Sequence, residues 1–152
     1  MGLMALEPFF SPKTVAVIWV SRNPQKVGHV VYRNFLEGGF GGKVFAVNPN
    51  AESLFGRPAY KAVGDIPEKV DLAVICVPAE LVPKAVEECG RKRVPAAIVL
   101  AGGFKEVGNA KLEGALAAAA ERGRVRVIGP NCLGVLDPAT GVDTVFLPRY
   151  KL

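Results

Sequence analysis

The chain has 152 residues, half of them hydrophobic, which suits one domain with its own buried core and needs no disulfide scaffold. Its formal charge of +5 favours polyanionic partners such as nucleotides. The basic residues are spread out and not interleaved with aromatics, which argues against nucleic acid. No apolar run approaches the ~20 residues of a membrane helix, and no basic segment followed by an apolar stretch opens the chain as a secretory signal would. Three scattered cysteines, Cys76, Cys89 and Cys132, point to a reduced, cytoplasmic setting, and no CxxC or Cys/His cluster suggests a metal.

Strands and helices alternate along the sequence. Residues 14–20 (TVAVIWV) form a continuous apolar run, as expected of a parallel strand buried on both faces. A polar loop at 21–25 leads into a helix over 27–37, whose Val27, Val30, Val31 and Phe35 share one face and whose stop is Gly38-Gly39. Further strands are predicted at 43–47, 70–77, 96–100 and 125–128, with helices over 81–89 and 110–120. A short strand is also expected near 144–147. The last residues, 149–152, carry no helix or cap and read as a stop at a domain boundary.

This alternation implies right-handed crossovers and a single-domain α/β architecture spanning 1–152. The fold is a Rossmann-like, doubly wound parallel sheet in the order 2-1-3-4-5. Ligands of such sheets bind beyond the carboxyl ends of the strands, at the switch between strands 1 and 3. The segments at that edge are 19–29, 47–50, 76–80, 100–105 and 129–134.

Five of those edge segments carry a resemblance: SRNPQKVG at 21–28, VNP at 47–49, VPA at 77–79, AGGFKE at 101–106 and IGPNCLGV at 128–135. In this order they resemble the N-terminal coenzyme A-binding domain of ADP-forming acetyl-CoA synthetases, itself similar to the start of the succinyl-CoA synthetase alpha subunit. The resemblance covers essentially the whole chain, and the Gly-Pro-Asn-Cys-Leu-Gly run is its most specific part. It implies that Ser21, Arg22, Lys26 and Gly28 bind the CoA phosphates, that Asn48 and Pro49 lie near the nucleotide, and that Val77 and Pro78 line a wall. It also implies that Gly103, Asn131 and Cys132 frame the thiol end. A loop between a strand and a helix N-terminus suits a diphosphate, because free amides and the helix dipole both face the anion there. The family's reaction runs through a phosphohistidine and a nucleotide site on further domains, and neither motif occurs in this sequence. The resemblance therefore implies a binding module with its ligase partner domains absent.

The sequence departs from that family at two places. Trp19 and Val20 stand where the loop normally opens Gly-Ala, and Gly102 replaces a bulkier residue. Trp19, Val20 and Gly102 thus predict a remade pocket wall, by evolution or by engineering, with Trp19 an obstacle to CoA. A second expectation follows. Cys76, near the end of strand 3, and His29, in the adjacent helix, would form a catalytic thiol–imidazole dyad acting as an esterase on small activated acyl esters. The alternative reading of Cys76 is a small buried hydrophobe.

Overall fold

The computed structural model describes residues 6–147; the expected stop at 149–152 lies outside them. A short helix α1 (Glu7–Phe10) precedes β1 (Thr14–Ile18), α2 (Val27–Glu37) and β2 (Lys43–Val47). There follow β3 (Ser53–Leu54), β4 (Arg57–Tyr60), β5 (Leu72–Ile75), α3 (Val82–Lys92), β6 (Ala96–Val99), α4 (Ala110–Gly123) and β7 (Arg126–Ile128). Two short strands, β8 (Leu136–Asp137) and β9 (Val142–Asp143), close the described chain as a separate antiparallel pair.

The main sheet has seven strands in the order β3-β4-β2-β1-β5-β6-β7. Five neighbouring strands within it, β2-β1-β5-β6-β7, are parallel and keep the expected order. The hairpin β3–β4 extends the β2 edge, and β4 runs parallel to β2. That hairpin and α1 were not anticipated, because both are too short to show a periodic pattern. The strand expected at 144–147 is instead β9 at Val142–Asp143. The third predicted strand also shrinks from 70–77 to Leu72–Ile75, with Asp71 engaged elsewhere. One Asp71 carboxylate oxygen accepts from the amides of Lys13 (3.0 Å) and Thr14 (3.1 Å) and from the Thr14 hydroxyl (3.1 Å). This pins the start of β1 to the start of β5.

Successive strand residues point to opposite faces, and each face has its own core. Ala16, Ile18, Ala73, Ile75, Ala97 and Val99 pack under α3 and α4. Val15, Val17, Leu72, Val74 and Ile98 pack under α1 and α2 with Phe9, Val31, Tyr32 and Phe35. Strands covered on both sides are apolar throughout, which is why their sequences read as unbroken runs rather than alternations. Cys89 is fully buried on the α3 face. Among the described residues no helix is long and apolar enough to cross a membrane.

The two helices on the α3–α4 face touch through glycine. A Cβ on Gly90 would lie 2.6 Å from the Gly123 Cα, inside any real contact distance. Gly90→Ala is therefore expected to destabilise the fold by roughly 1–3 kcal/mol through overpacking. In contrast, a Cβ on Gly114 in α4 meets nothing within 4 Å, so Gly114→Ala should stabilise by roughly 0.5–1 kcal/mol. Urea melts of both variants check the opposite signs; equal shifts would contradict the packing account.

Candidate functional site

β1 ends at Ile18, and the chain turns at once. Trp19 takes φ +76°, the left-handed region. Two bonds to one acceptor hold the turn: the Trp19 amide donates to the Val47 carbonyl at 2.7 Å, and the Val20 amide to the same oxygen at 3.2 Å. Val20 is fully buried against the α2 core rather than forming part of a ligand wall. Asn48 locks the turn from the neighbouring strand, its side-chain amide donating to the Val20 carbonyl at 2.7 Å.

The loop 21–26 is a run of side-chain-closed turns. The Asn23 amide donates to Ser21 Oγ (3.0 Å), and the Gln25 amide to Asn23 Oδ1 (2.9 Å). Both residue types form such turns readily. α2 then starts from Lys26, which caps it without a side-chain bond. The amides of Val27 and Gly28, in its first turn, have no acceptor among the described residues, as helix geometry dictates. Gly28 is what brings this helix end so close to β1: a Cβ there would lie 2.3 Å from the Trp19 carbonyl oxygen. Its role is thus helix–strand contact, and its effect on a ligand is to place the open helix end beside the strand tips.

A cavity of about 410 Å³ opens in front of this helix end. Trp19, Ser21, Lys26 and Gly28 line it from the β1 side, with Cys76, Val77 and Pro78 from β5 and Leu100, Ala101 and Gly102 from β6. The tips of β1, β5 and β6 converge as expected, with residues 19 and 76 at the same end of the sheet, whereas no residue of 129–134, beyond β7, lines the cavity. A second cavity of about 300 Å³ adjoins, lined by Trp19 and Val77 again, with Pro49, Lys61, Leu81, Lys84 and Glu88 among its other residues. Trp19 and Val77 are the two residues common to both. Sequence reasoning missed Phe146 in the first cavity and Lys61, Leu81, Lys84 and Glu88 in the second. The two lysines lie on exposed polar positions that look like any solvated face.

Other expected residues point elsewhere. The Arg22 guanidinium donates to the Ser53 carbonyl at 3.3 Å, tying the loop to the β3–β4 hairpin rather than reaching into either cavity. Gly103 sits at φ +111°. Its amide donates to Glu106, whose carboxyl that bond, foremost, holds below the usual carboxylate range. Asn131, at φ +54°, donates its backbone amide to the Ala101 carbonyl at 2.9 Å, and Cys132 Sγ lies 3.4 Å from the Val99 carbonyl oxygen. These residues pack around the segment that follows β6, Asn131 beside Gly102, and line neither cavity.

The expected dyad finds no support. His29 Nδ1 bonds the Ser21 carbonyl oxygen at 2.8 Å, and its ring packs 4.6 Å from that of Phe55 on the β3–β4 turn. His29 lines neither cavity, and among the described residues no hydrogen bond joins it to Cys76. Although part of Cys76 reaches the surface, its thiol is desolvated, and burial pushes it up to about 12. A nucleophilic cysteine needs the opposite shift. At pH 8, alkylation of Cys76 by iodoacetamide is therefore expected to run on the order of a thousandfold slower than that of an unstructured cysteine. Its rate should climb about tenfold per pH unit as thiolate forms. Mass spectrometry of timed samples checks this, and rapid labelling at pH 8 would refute it.

Comparison with known proteins places this geometry. A model described as a CoA binding domain matches residues 13–138. The chain is 50% identical over 143 residues to acetate–CoA ligase (ADP-forming) I of Archaeoglobus fulgidus, covering 93% of this chain and 21% of that protein. It is 40% identical over 148 residues to 4-hydroxybutyrate–CoA ligase (ADP-forming) of Nitrosopumilus maritimus, covering 95% and 21%. Among solved structures it is similar to a dinucleotide-forming acetyl-coenzyme A synthetase 1 of Ca. Korarchaeum cryptofilum in complex with phosphate and ADP. That match has a TM-score of 0.91 and 43% identity, over 94% of this chain and 31% of that one. The chain thus spans about a fifth to a third of these three relatives. With its parallel sheet, open α2 terminus and matched segment, the chain belongs to the CoA-binding domain family and corresponds to that domain of ADP-forming acetyl-CoA synthetases.

Proposed function

We propose that this chain binds coenzyme A as the substrate-holding part of an ADP-forming acyl-CoA ligase. The observation that carries the reading is the first turn of α2. Val27 and Gly28, whose amides have no acceptor among the described residues, line a cavity beside Lys26 at the positive helix end and the carboxyl edge of the sheet. A diphosphate set there replaces water as acceptor for those amides and gains the dipole and the ammonium charge. The thiol arm then runs through the larger cavity toward Leu100–Gly102, and the nucleotide end lies past Trp19 in the smaller one.

The relatives that share this stretch are named for different acids, acetate and 4-hydroxybutyrate. What they have in common is CoA, so the choice of acid is assigned to parts of the ligase outside this segment. The chain itself contributes binding and orientation. Its one histidine is held by a loop carbonyl and Phe55, and phosphoryl transfer is assigned to the rest of such a ligase. Three free cysteines suit a reducing, cytoplasmic setting.

Calorimetric titration with CoA tests the proposal. Lys26→Glu is expected to weaken binding by roughly tenfold or more, since it replaces an attractive point charge by a repulsive one at the phosphates. Affinity of the wild type should also fall as salt rises. No heat at millimolar CoA, or an unchanged affinity in the Lys26 variant, would overturn it.

A further inference from the structure

Trp19 is a bulky residue in a backbone region that bulky residues avoid. Its φ of +76° costs about 1–2 kcal/mol relative to glycine at the same place. The surroundings enforce the conformation. Val47 accepts from both Trp19 and Val20, Asn48 grips the Val20 carbonyl, and Gly28 lets α2 press on the Trp19 carbonyl. A strained residue kept in place next to two cavities calls for a gain that offsets the strain.

The position of the indole supplies one. Trp19 is half-buried and packs against the α3-side core, yet it lines both cavities. In the smaller one it is joined by Pro49, by the exposed Leu81 and by Val77, all flat or apolar surfaces. Lys61 and Lys84 complete the lining as cations, with Glu88 as the one anion. This combination matches a purine nucleotide: a slot with aromatic and aliphatic walls for the base, and two ammonium groups for a terminal phosphate.

We propose that Trp19 is a specificity-determining residue of this site, its indole serving as the stacking face for the purine base of the ligand in the smaller cavity. The inference rests on the CoA-binding reading above and sharpens it. Here the aromatic wall holds the nucleotide end, and it stands beside the path of the ligand rather than closing it.

The chain contains a single tryptophan, so its emission reports on this residue's surroundings in both cavities. Adenosine 3′,5′-bisphosphate, which carries the base without the arm, is expected to quench it saturably and to the same extent as CoA, whereas pantetheine, which lacks the base, quenches it far less. By calorimetry, Trp19→Leu should weaken adenosine 3′,5′-bisphosphate and CoA about tenfold or more, the usual loss for one stacked base. Trp19→Phe should stay within roughly threefold because it keeps an aromatic face. Trp19→Gly, which removes the strain and so guards against misfolding, should bind as weakly as Trp19→Leu. Heat from CoA without any quenching overturns the stacking role, and so does tighter CoA binding by Trp19→Gly, which would mark the indole as an obstruction. Absence of both heat and quenching in the wild type and every variant overturns the CoA-binding reading itself, and with it this one.

Discussion

The site depends on how closely α2 approaches the end of β1. The Gly28 backbone faces the Trp19 carbonyl so tightly that a methyl group would sit 2.3 Å from its oxygen. That contact fixes the helix end against the strand tips, where the first-turn residues Val27 and Gly28 line the cavity and their amides have no acceptor among the described residues. Everything assigned to the cleft follows from it. A helix displaced outward by even the width of a methyl would carry its dipole and Lys26 away from the cavity shared with Cys76, Pro78 and Gly102. The glycine therefore acts on the ligand indirectly, through helix placement.

Much of this was legible beforehand because doubly buried strands have no polar face. β1, β5 and β6 pack between two helical layers, so 14–18, 72–75 and 96–99 are apolar without interruption. Their alternation with amphipathic helices fixes the 2-1-3-4-5 core of the sheet. The β3–β4 hairpin was not legible. Ser53–Leu54 and Arg57–Tyr60 are too short and too exposed to carry a period-2 signal, and they form only because β2 offers a free edge. α1 escaped notice for a similar reason: four residues, of which only Phe9 is buried.

At the site, sequence position proved a good guide to which loops meet and a poor one to which side chains point inward. Ser21, Lys26, Val77 and Pro78 line the first cavity and Pro49 the second. Arg22 and Asn48 sit in the same loops but spend their side-chain polar atoms on backbone carbonyls, those of Ser53 and Val20. Loop polar groups are drawn to the nearest unpaired backbone group, and a pattern of residue types does not reveal which one that will be. The same effect separates His29 from Cys76. The imidazole had a nearby carbonyl to bond and an aromatic ring to pack on, and it took both.

The cysteines show why binding and not thiol chemistry fits this edge of the sheet. A strand end becomes reactive when charge is stabilised there, yet Cys76 sits where apolar strands converge, and Cys132 is also raised by burial. The cations sit instead at Lys26, beside the start of α2, and at Lys61 and Lys84, with Glu88 the one anion, in the lining of the two cavities. Desolvated sulfur in the floor and cations at the rim favour a long ligand with an apolar arm and anionic groups spaced along it. Among the described residues no hydrogen bond joins the Cys76 thiol to the His29 imidazole. The separation of apolar floor from charged rim is itself a product of the fold, since the strands bring only hydrophobic residues to the centre and the loops bring the rest.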